Sequence, residues 1–428
     1  MKKFLAVLLL FFAFAFFFQF GFCAESDETS NKVVTTVWIN CDNLLKLNLI
    51  IHKDSRMPIA IASLVFKVGK IDVPASKSGM DEIIAQNLIS KKLHEKFLRS
   101  GIDCHVRCSD EYTEICGVMH PKNVKKFFKL LEKVTDSINI DNLELCKQKI
   151  LIENQLRCCN ESNAISDNVR AQVIPHTVFN ESALKSITID DAKDFYEKHY
   201  RNGVVLITIC GDVDWVPTQA EKRRLANVYH SDEKSSNISY HPKISEKITP
   251  HIHIENKYMR NSVNYFYLIS EDADKQLAHV FSCVVTNGLF RDFCKARSVL
   301  DNFGAEFSLD RDDNIFSILL FPKKDVSLKE IKKLYELFVE KMLNAAVRQE
   351  ILDKIAQQEK ISFDVLLCDL YRVHSYIRNA YLSGTYNARF YPSYIIERTS
   401  PEDLRKLAEK ILNSKLISTI ITQYRSDK

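Results

Sequence analysis

Ser186-Ile187-Thr188-Ile189-Asp190-Asp191-Ala192 leads through Phe195-Tyr196 and Tyr200 into Val204-Val205-Leu206-Ile207-Thr208-Ile209-Cys210-Gly211-Asp212-Val213. Thr188 reads as a helix N-cap with Asp191 at the third helical position, so side chain and backbone satisfy each other's orphan groups. Ala192, Phe195, Tyr196 and Tyr200 recur at helical spacing and form one face. Val204–Cys210 is continuously apolar or β-branched, the composition of a strand buried on both faces. The stretch therefore predicts a helix feeding directly into a buried strand.

The same unit closes the chain. Ser400 caps, Pro401 takes the first helical position and Asp403 the third. Leu404, Leu407, Ala408 and Leu412 form the face, and residues 416–422 the strand. Thr188 and Ser400 stand 212 residues apart, about half of the 428-residue chain. In the first half, residues 44–52 and 59–68 read as strands around the polar turn Lys53-Asp54-Ser55-Arg56. A helix is predicted from Gly79 to about Leu98, then a hairpin of 102–108 with 112–118 around Ser109-Asp110-Glu111. Two more helices, 121–137 and 141–157, precede the Thr188 unit. The expectation is a duplicated α+β architecture with domains at 33–217 and 251–428 and a Lys-, Ser-, Asn- and Pro-rich linker at 218–250.

Composition sets the outer bounds. Of the residues 46% are hydrophobic and 27% charged, with 59 basic against 55 acidic side chains and a net charge of +4. Single cores stop growing near ~250–300 residues, so the length also calls for two domains. Disordered, collagen-like and multi-span membrane classes are excluded, and the charge gives no footprint for nucleic acid. Lys2-Lys3, the apolar run Phe4–Phe18 and Gly21-Phe22-Cys23-Ala24 read as a secretory leader, residues 1–23, with cleavage after Cys23. A retained anchor is the alternative, since the run approaches the ~20 residues that span a bilayer. Export to the periplasm is expected, with membrane contact only through this segment.

The chain holds 12 cysteines. Pairing across the hairpin turn sets Cys104 opposite Cys116, within the Cα range a disulfide tolerates. Plain buried thiols, or a metal held with Cys108, His105 and His120, remain open beside it. Vicinal Cys158-Cys159 reads as buried thiols on a helix.

The Thr188 unit, the order Lys46–His52, Pro58–Gly69, then Gly79 opening a helix, Gly101 before the hairpin, and the second-half repeat together resemble the inverzincin zinc metallopeptidases. This is the family of pitrilysin, insulinase and the mitochondrial processing peptidase. The resemblance covers nearly all of the chain beyond the leader. It implies two homologous α/β domains, each a helix-and-antiparallel-sheet sandwich, facing each other across a chamber. Active members carry H-x-x-E-H on the helix that follows the glycine matching Gly79. Two His four apart share a helical face and bind Zn²⁺, the Glu polarises the zinc-bound water, and a distant Glu completes the site. Aligned from Gly79 this chain reads Glu82-Ile83-Ile84-Ala85-Gln86. Glu82 and Gln86 replace the two His and Ala85 replaces the base, while Glu153 still matches the distal ligand and Cys146 replaces the carboxylate seven residues before it.

Glutamine offers a neutral amide oxygen where a basic nitrogen is needed, and Ala85 has no base to offer. Loss of the base alone costs ~10²–10⁴-fold. No resident zinc cofactor is therefore expected, with Glu82 and Glu153 left as residual ligand-like carboxylates. The resemblance also implies a carbonyl-steadying Tyr in the second half, which here is Phe307, and a substrate-strand Asn, which here is His105. These two are the candidate substrate-binding positions. His251 and His253 share one face of a strand expected at 250–255, without a convincing carboxylate. Neither a G-x-S-x-G elbow nor a convincing Cys-His pair occurs.

The family resemblance implies a non-catalytic, substrate-binding subunit of an exported peptidase complex, a heterodimer with a sister bearing the zinc motif, acting on a peptide or small protein. A stand-alone peptide-binding or scaffold protein is the alternative, and an active metalloendopeptidase with an atypical site the third reading.

Overall fold

A computed structural model describes residues 34–40, 47–134, 137–158, 178–201, 203–215, 217–229, 251–256, 261–268, 275–285, 299–309, 314–323, 326–344, 349–382 and 396–423. The first half is a six-stranded sheet of β1 (Val34–Asn40), β2 (Asn48–Asp54), β3 (Ala60–Phe66), β4 (Ile102–Cys108), β5 (Thr113–Met119) and β6 (Val204–Gly211), in the order β1-β2-β6-β3-β5-β4. The second half is a five-stranded sheet of β7 (His251–Asn256), β8 (Ser262–Leu268), β9 (Leu300–Leu309), β10 (Asn314–Pro322) and β11 (Lys415–Gln423), in the order β7-β11-β8-β10-β9.

The two sheets repeat one pattern. β2 runs parallel to β6 as β7 runs parallel to β11, and every other neighbour in both sheets is antiparallel. The strand that enters each sheet last, β6 or β11, lies inside it. Each is fed by a capped helix with both reciprocal hydrogen bonds present, Thr188 with Asp191 and Ser400 with Asp403. Such a cap contributes about 1 kcal/mol at each site.

The helices of the first half are α1 (Met80–Leu88), α2 (Lys91–Arg99), α3 (Val124–Leu131), α4 (Leu143–Cys158), α5 (Glu181–Ser186), α6 (Ile189–His199) and α7 (Gln219–Tyr229). The second half has α8 (Lys275–Val284), α9 (Leu328–Asn344), α10 (Gln349–Leu366), α11 (Leu370–Leu382) and α12 (Pro401–Leu412). Helices of the first half cover one face of its sheet in a core that includes Ile83, Ile84, Phe97, Phe127, Ile207 and Ile209. The opposite face is covered by α11, whose Leu370, Val373, Ile377 and Ala380 pack with Ile61, Leu206 and Cys210. That is why β6 is apolar on both sides: its second partner comes from 160 or more residues downstream. Each fully buried Leu, Val or Ile there contributes about 1.5–3 kcal/mol.

Several expectations are corrected. The helix expected from Gly79 to about Leu98 is two helices, because Ser90 takes extended dihedrals and its Oγ accepts from the Leu93 amide at 3.3 Å. Residues 219–229 of the expected linker form α7, capped by Thr218 and Glu221, with Leu225, Ala226 and Tyr229 in the first core. Residues 230–250 lie outside the described residues.

The Cys104–Cys116 pairing fails by one residue. The turn is a tight Asp110-Glu111 loop in which Ser109 N donates to Tyr112 O at 2.9 Å, while Ser109 Oγ accepts from the Glu111 and Tyr112 amides. Cys104 therefore faces Gly117 and Cys116 faces His105. A one-residue slip turns a side chain to the other face. Cys104 lies in the core under the helices and Cys116 in the core under α11, and both thiols are free. Of Cys158-Cys159, Cys158 ends α4 and Cys159 is outside the described residues.

Among the described residues no helix is long and apolar enough to cross a membrane. The leader segment 1–23 lies outside them.

Candidate functional site

The helix on which the zinc motif is expected is α1. It opens at Gly79, whose φ of +89° is the left-handed region that glycine enters without steric cost. A Cβ there would also meet Leu184 Cδ1 of α5 at 2.7 Å. This close approach seats α1 against the inner helices, and its far end touches α4 where Asn87 Nδ2 donates to Cys146 Sγ at 3.4 Å.

On α1, Glu82 and Gln86 are half-buried and Ala85 is 8% exposed. Gln86 Oε1 is buried and has no hydrogen-bond partner among the described residues. A lost hydrogen bond of this kind costs about 1–3 kcal/mol. Glu153 is exposed on α4. Glu82, Gln86 and Glu153 offer two carboxylates and one amide oxygen, with no imidazole among them and no base at Ala85. That set does not fit catalytic zinc, which takes three nitrogen, sulfur or carboxylate ligands in a tetrahedral site. No hydrolytic step through a metal follows from these residues.

His105 lies on β4, the edge strand of the first sheet, and is exposed. Its neighbour Cys104 packs with the α1 side, so alternation turns His105 to the sheet face opposite α1, and the fold does not bring it to Glu82 and Gln86. Phe307 stands in β9 opposite Phe316, with its side chain outside the described residues. His251 and His253 lie in β7, and His251 Nδ1 is 2.6 Å from Ser418 Oγ of β11.

Two buried polar clusters escaped the sequence reading. Beside the degenerate motif, Asp81 is 2% exposed and its Oδ2 accepts from Cys108 Sγ at 3.4 Å. Burial raises the Asp81 pKa above the usual carboxylate range, and burial with the nearby Asp81 charge raises that of Cys108. Tyr200 OH donates to Thr113 Oγ1 at 2.9 Å, and Thr113 Oγ1 donates to the Val68 carbonyl at 2.9 Å. Asp81 in a first helical turn is an ordinary dipole-favoured choice, so nothing in its position advertises burial.

The second cluster lies under α11. Arg378 Nη1 donates to Glu114 Oε2 and its guanidinium sits 4.6 Å over the Tyr112 ring. His374 Nε2 is 2.8 Å from Thr208 Oγ1 and 3.1 Å from Ser63 Oγ, and the two hydroxyls are 2.7 Å apart. Burial lowers the His374 pKa to about 4, against the smaller opposing pull of Glu114. Ser63, His374 and Glu114 superficially offer a nucleophile, a base and an acid. Glu114 Oε1, however, approaches the same Nε2 at 3.7 Å rather than the far ring nitrogen. Ser63 is also fully buried, so no substrate reaches it. The cluster is a clamp between the halves, joined by Arg56 Nη2 donating to the Leu367 carbonyl.

Comparison with known proteins bears on this architecture. Residues 186–359 match the family model described as Peptidase M16 inactive domain. No curated protein matches. Among solved structures the chain is similar to a protease from Helicobacter pylori, at 14% identity and a TM-score of 0.74 over 91% of this chain and 100% of that one. Pitrilysin matches at 13% identity and a TM-score of 0.72, over 95% of this chain but 47% of that one, so this chain spans about half its length. A chain of complex III2 from Candida albicans matches at 9% identity and a TM-score of 0.70, over 90% and 95%. At these identities the likeness shows a shared fold.

Proposed function

We propose, from the premise that this chain is a homologue of the M16 and pitrilysin peptidases with a Peptidase M16 inactive domain at residues 186–359, that it acts as the non-catalytic, substrate-binding subunit of an exported peptidase complex. Its partner is a sister chain that bears an intact zinc motif. The observation that carries this reading is a preserved duplicated framework in which Glu82, Ala85 and Gln86 occupy the positions of the two ligands and the base. Retention of the fold without its chemistry fits a binding role. In this reading the two sheets with their helices are the walls of a chamber, residues 33–217 and 251–428 are its domains, and peptides or small proteins are its cargo.

The edge strand β4 supports peptide binding, because an extended peptide adds to a free sheet edge through main-chain hydrogen bonds. The exposure of His105 on that strand supports a contact with such a peptide.

The test is a peptide-cleavage assay on the mature chain alone and again with any co-purifying protein. Cleavage only in the presence of an H-x-x-E-H partner is expected. Chelator-sensitive cleavage by the lone chain that is lost on Glu82→Gln would refute the reading. Purification as a monomer that binds peptide with no partner would move it to a stand-alone peptide-binding protein.

A further inference from the structure

The second half holds a group of metal-binding side chains that the degenerate site of the first half does not explain. His279 and Cys283 are four residues apart on α8, so they share one helical face. Glu359 comes from α10, which packs against α8. One donor atom of each, an imidazole nitrogen, Sγ and a carboxylate oxygen, lies within 4.8 Å of the others. Among the described residues no other three His, Cys, Asp or Glu side chains gather in this way.

From this geometry we infer that His279, Cys283 and Glu359 form a binding site for a divalent cation of the zinc class, lying between α8 and α10.

The distances suit such an ion. Cys283 Sγ and His279 Nε2 are 3.9 Å apart. With Zn–S near ~2.3 Å and Zn–N near ~2.0–2.1 Å at a tetrahedral angle, the two ligand atoms belong about 3.6 Å apart. A shift of a few tenths of an ångström brings this pair to ligand spacing. A thiolate, an imidazole and one carboxylate form a mixed set that selects zinc over magnesium or calcium, whose sites are built from oxygen. Three protein ligands leave the fourth position to water or to a donor from a bound peptide.

The sequence pattern of α10 is a separate observation. Leu352, Ile355 and Ala356 lie on its buried stripe, and Glu359 continues that stripe where an apolar residue would be ordinary. A carboxylate placed there costs free energy unless it is paired. Cys283 is 9% exposed and has Glu359 as hydrogen-bond partner. Burial and the Glu359 charge raise the thiol pKa. Entry of the cation replaces the thiol proton, which leaves to solvent, so the ion takes a thiolate and one proton is released.

The placement repeats across the fold. α8 follows β8 as α1 follows β3, and α10 packs on α8 as α4 packs on α1. The proposed site is therefore the counterpart, in the second half, of the helix pair whose donors are lost in the first. It ties α8 to α10 and needs no hydrolytic activity.

The metal-stripped full chain is titrated with Co²⁺ and read by thiolate-to-cobalt charge-transfer absorption, then with Zn²⁺ in competition. One equivalent of Co²⁺ with the charge-transfer band is expected. Cys283→Ala should abolish the band, His279→Ala and Glu359→Gln should weaken binding at least about tenfold, and Glu82→Gln with Glu153→Gln should leave it unchanged. To separate misfolding of a variant from loss of the site, alkylation of Cys283 in the unaltered protein is also followed by mass spectrometry, and Zn²⁺ should protect it at least about tenfold. A band that is absent, a band that survives Cys283→Ala, or alkylation indifferent to Zn²⁺ overturns the site. None of these readouts uses cleavage, so the outcome is independent of the function proposed above.

Discussion

Replacing Arg378 with Met removes one member of the buried pair that fastens α11 to the first sheet. In the native protein Arg378 and Glu114 are each 2% exposed and directly hydrogen-bonded. After the change Glu114 keeps Tyr112 and His374 as neighbours, but His374, with its pKa depressed to about 4, carries no compensating charge at pH 7. Removing one partner of a buried pair costs about 3–5 kcal/mol, because the other charge stays buried and unpaired. Loss of the guanidinium over the Tyr112 ring adds about 0.5–2 kcal/mol. The effect should concentrate on α11, whose covering contact is the one broken. Native-state hydrogen exchange reads such local opening. A cost of 3–5 kcal/mol corresponds to exchange about two to four decades faster at the α11 amides, since 1.4 kcal/mol is tenfold. Glu114→Gln combined with Arg378→Met should recover most of the loss, because no charge is then stranded. Exchange at α11 within tenfold of the native rate, or strictly additive effects in the double variant, would refute the reasoning.

Two further outcomes follow from the same geometry. His374 titrates near 4 folded against about 6.5 unfolded, so the unfolded chain takes up the proton first as pH falls; stability is fully present above about pH 6.5 and drains towards pH 4. That contribution is on the order of 3 kcal/mol, and urea unfolding followed across the interval should flatten in His374→Asn, whereas an unchanged slope would contradict it. Alkylation of the native protein should label exposed Cys368 and spare Cys104, Cys116 and Cys210, whose burial raises their pKa values, and unreduced mass spectrometry should find no peptide joining Cys104 to Cys116.

Where the sequence was legible, the cause is local. The capping boxes at Thr188 and Ser400 are each written in four consecutive residues, and the strands after them are marked by runs rich in β-branched residues. Both were read to within a residue or two. The positions Glu82, Ala85 and Gln86 rest on the family resemblance aligned from Gly79, and the structure places them on the helix expected there. Local rules failed where a turn's own chemistry chose between close alternatives. Ser109 Oγ tightened the hairpin by one residue, and that single step sent Cys104 and Cys116 to opposite faces.

By itself the sequence determined most element types and the duplication, because periodicity and capping act within a few residues. The tertiary structure alone decided that α11 crosses to cover the first sheet, that Glu114 and Arg378 meet across 264 positions, and that His279 and Cys283 share Glu359. Those juxtapositions depend on which distant apolar faces bury each other. A polar or charged side chain carried into such a contact must then find its partner there, whatever its sequence neighbours are.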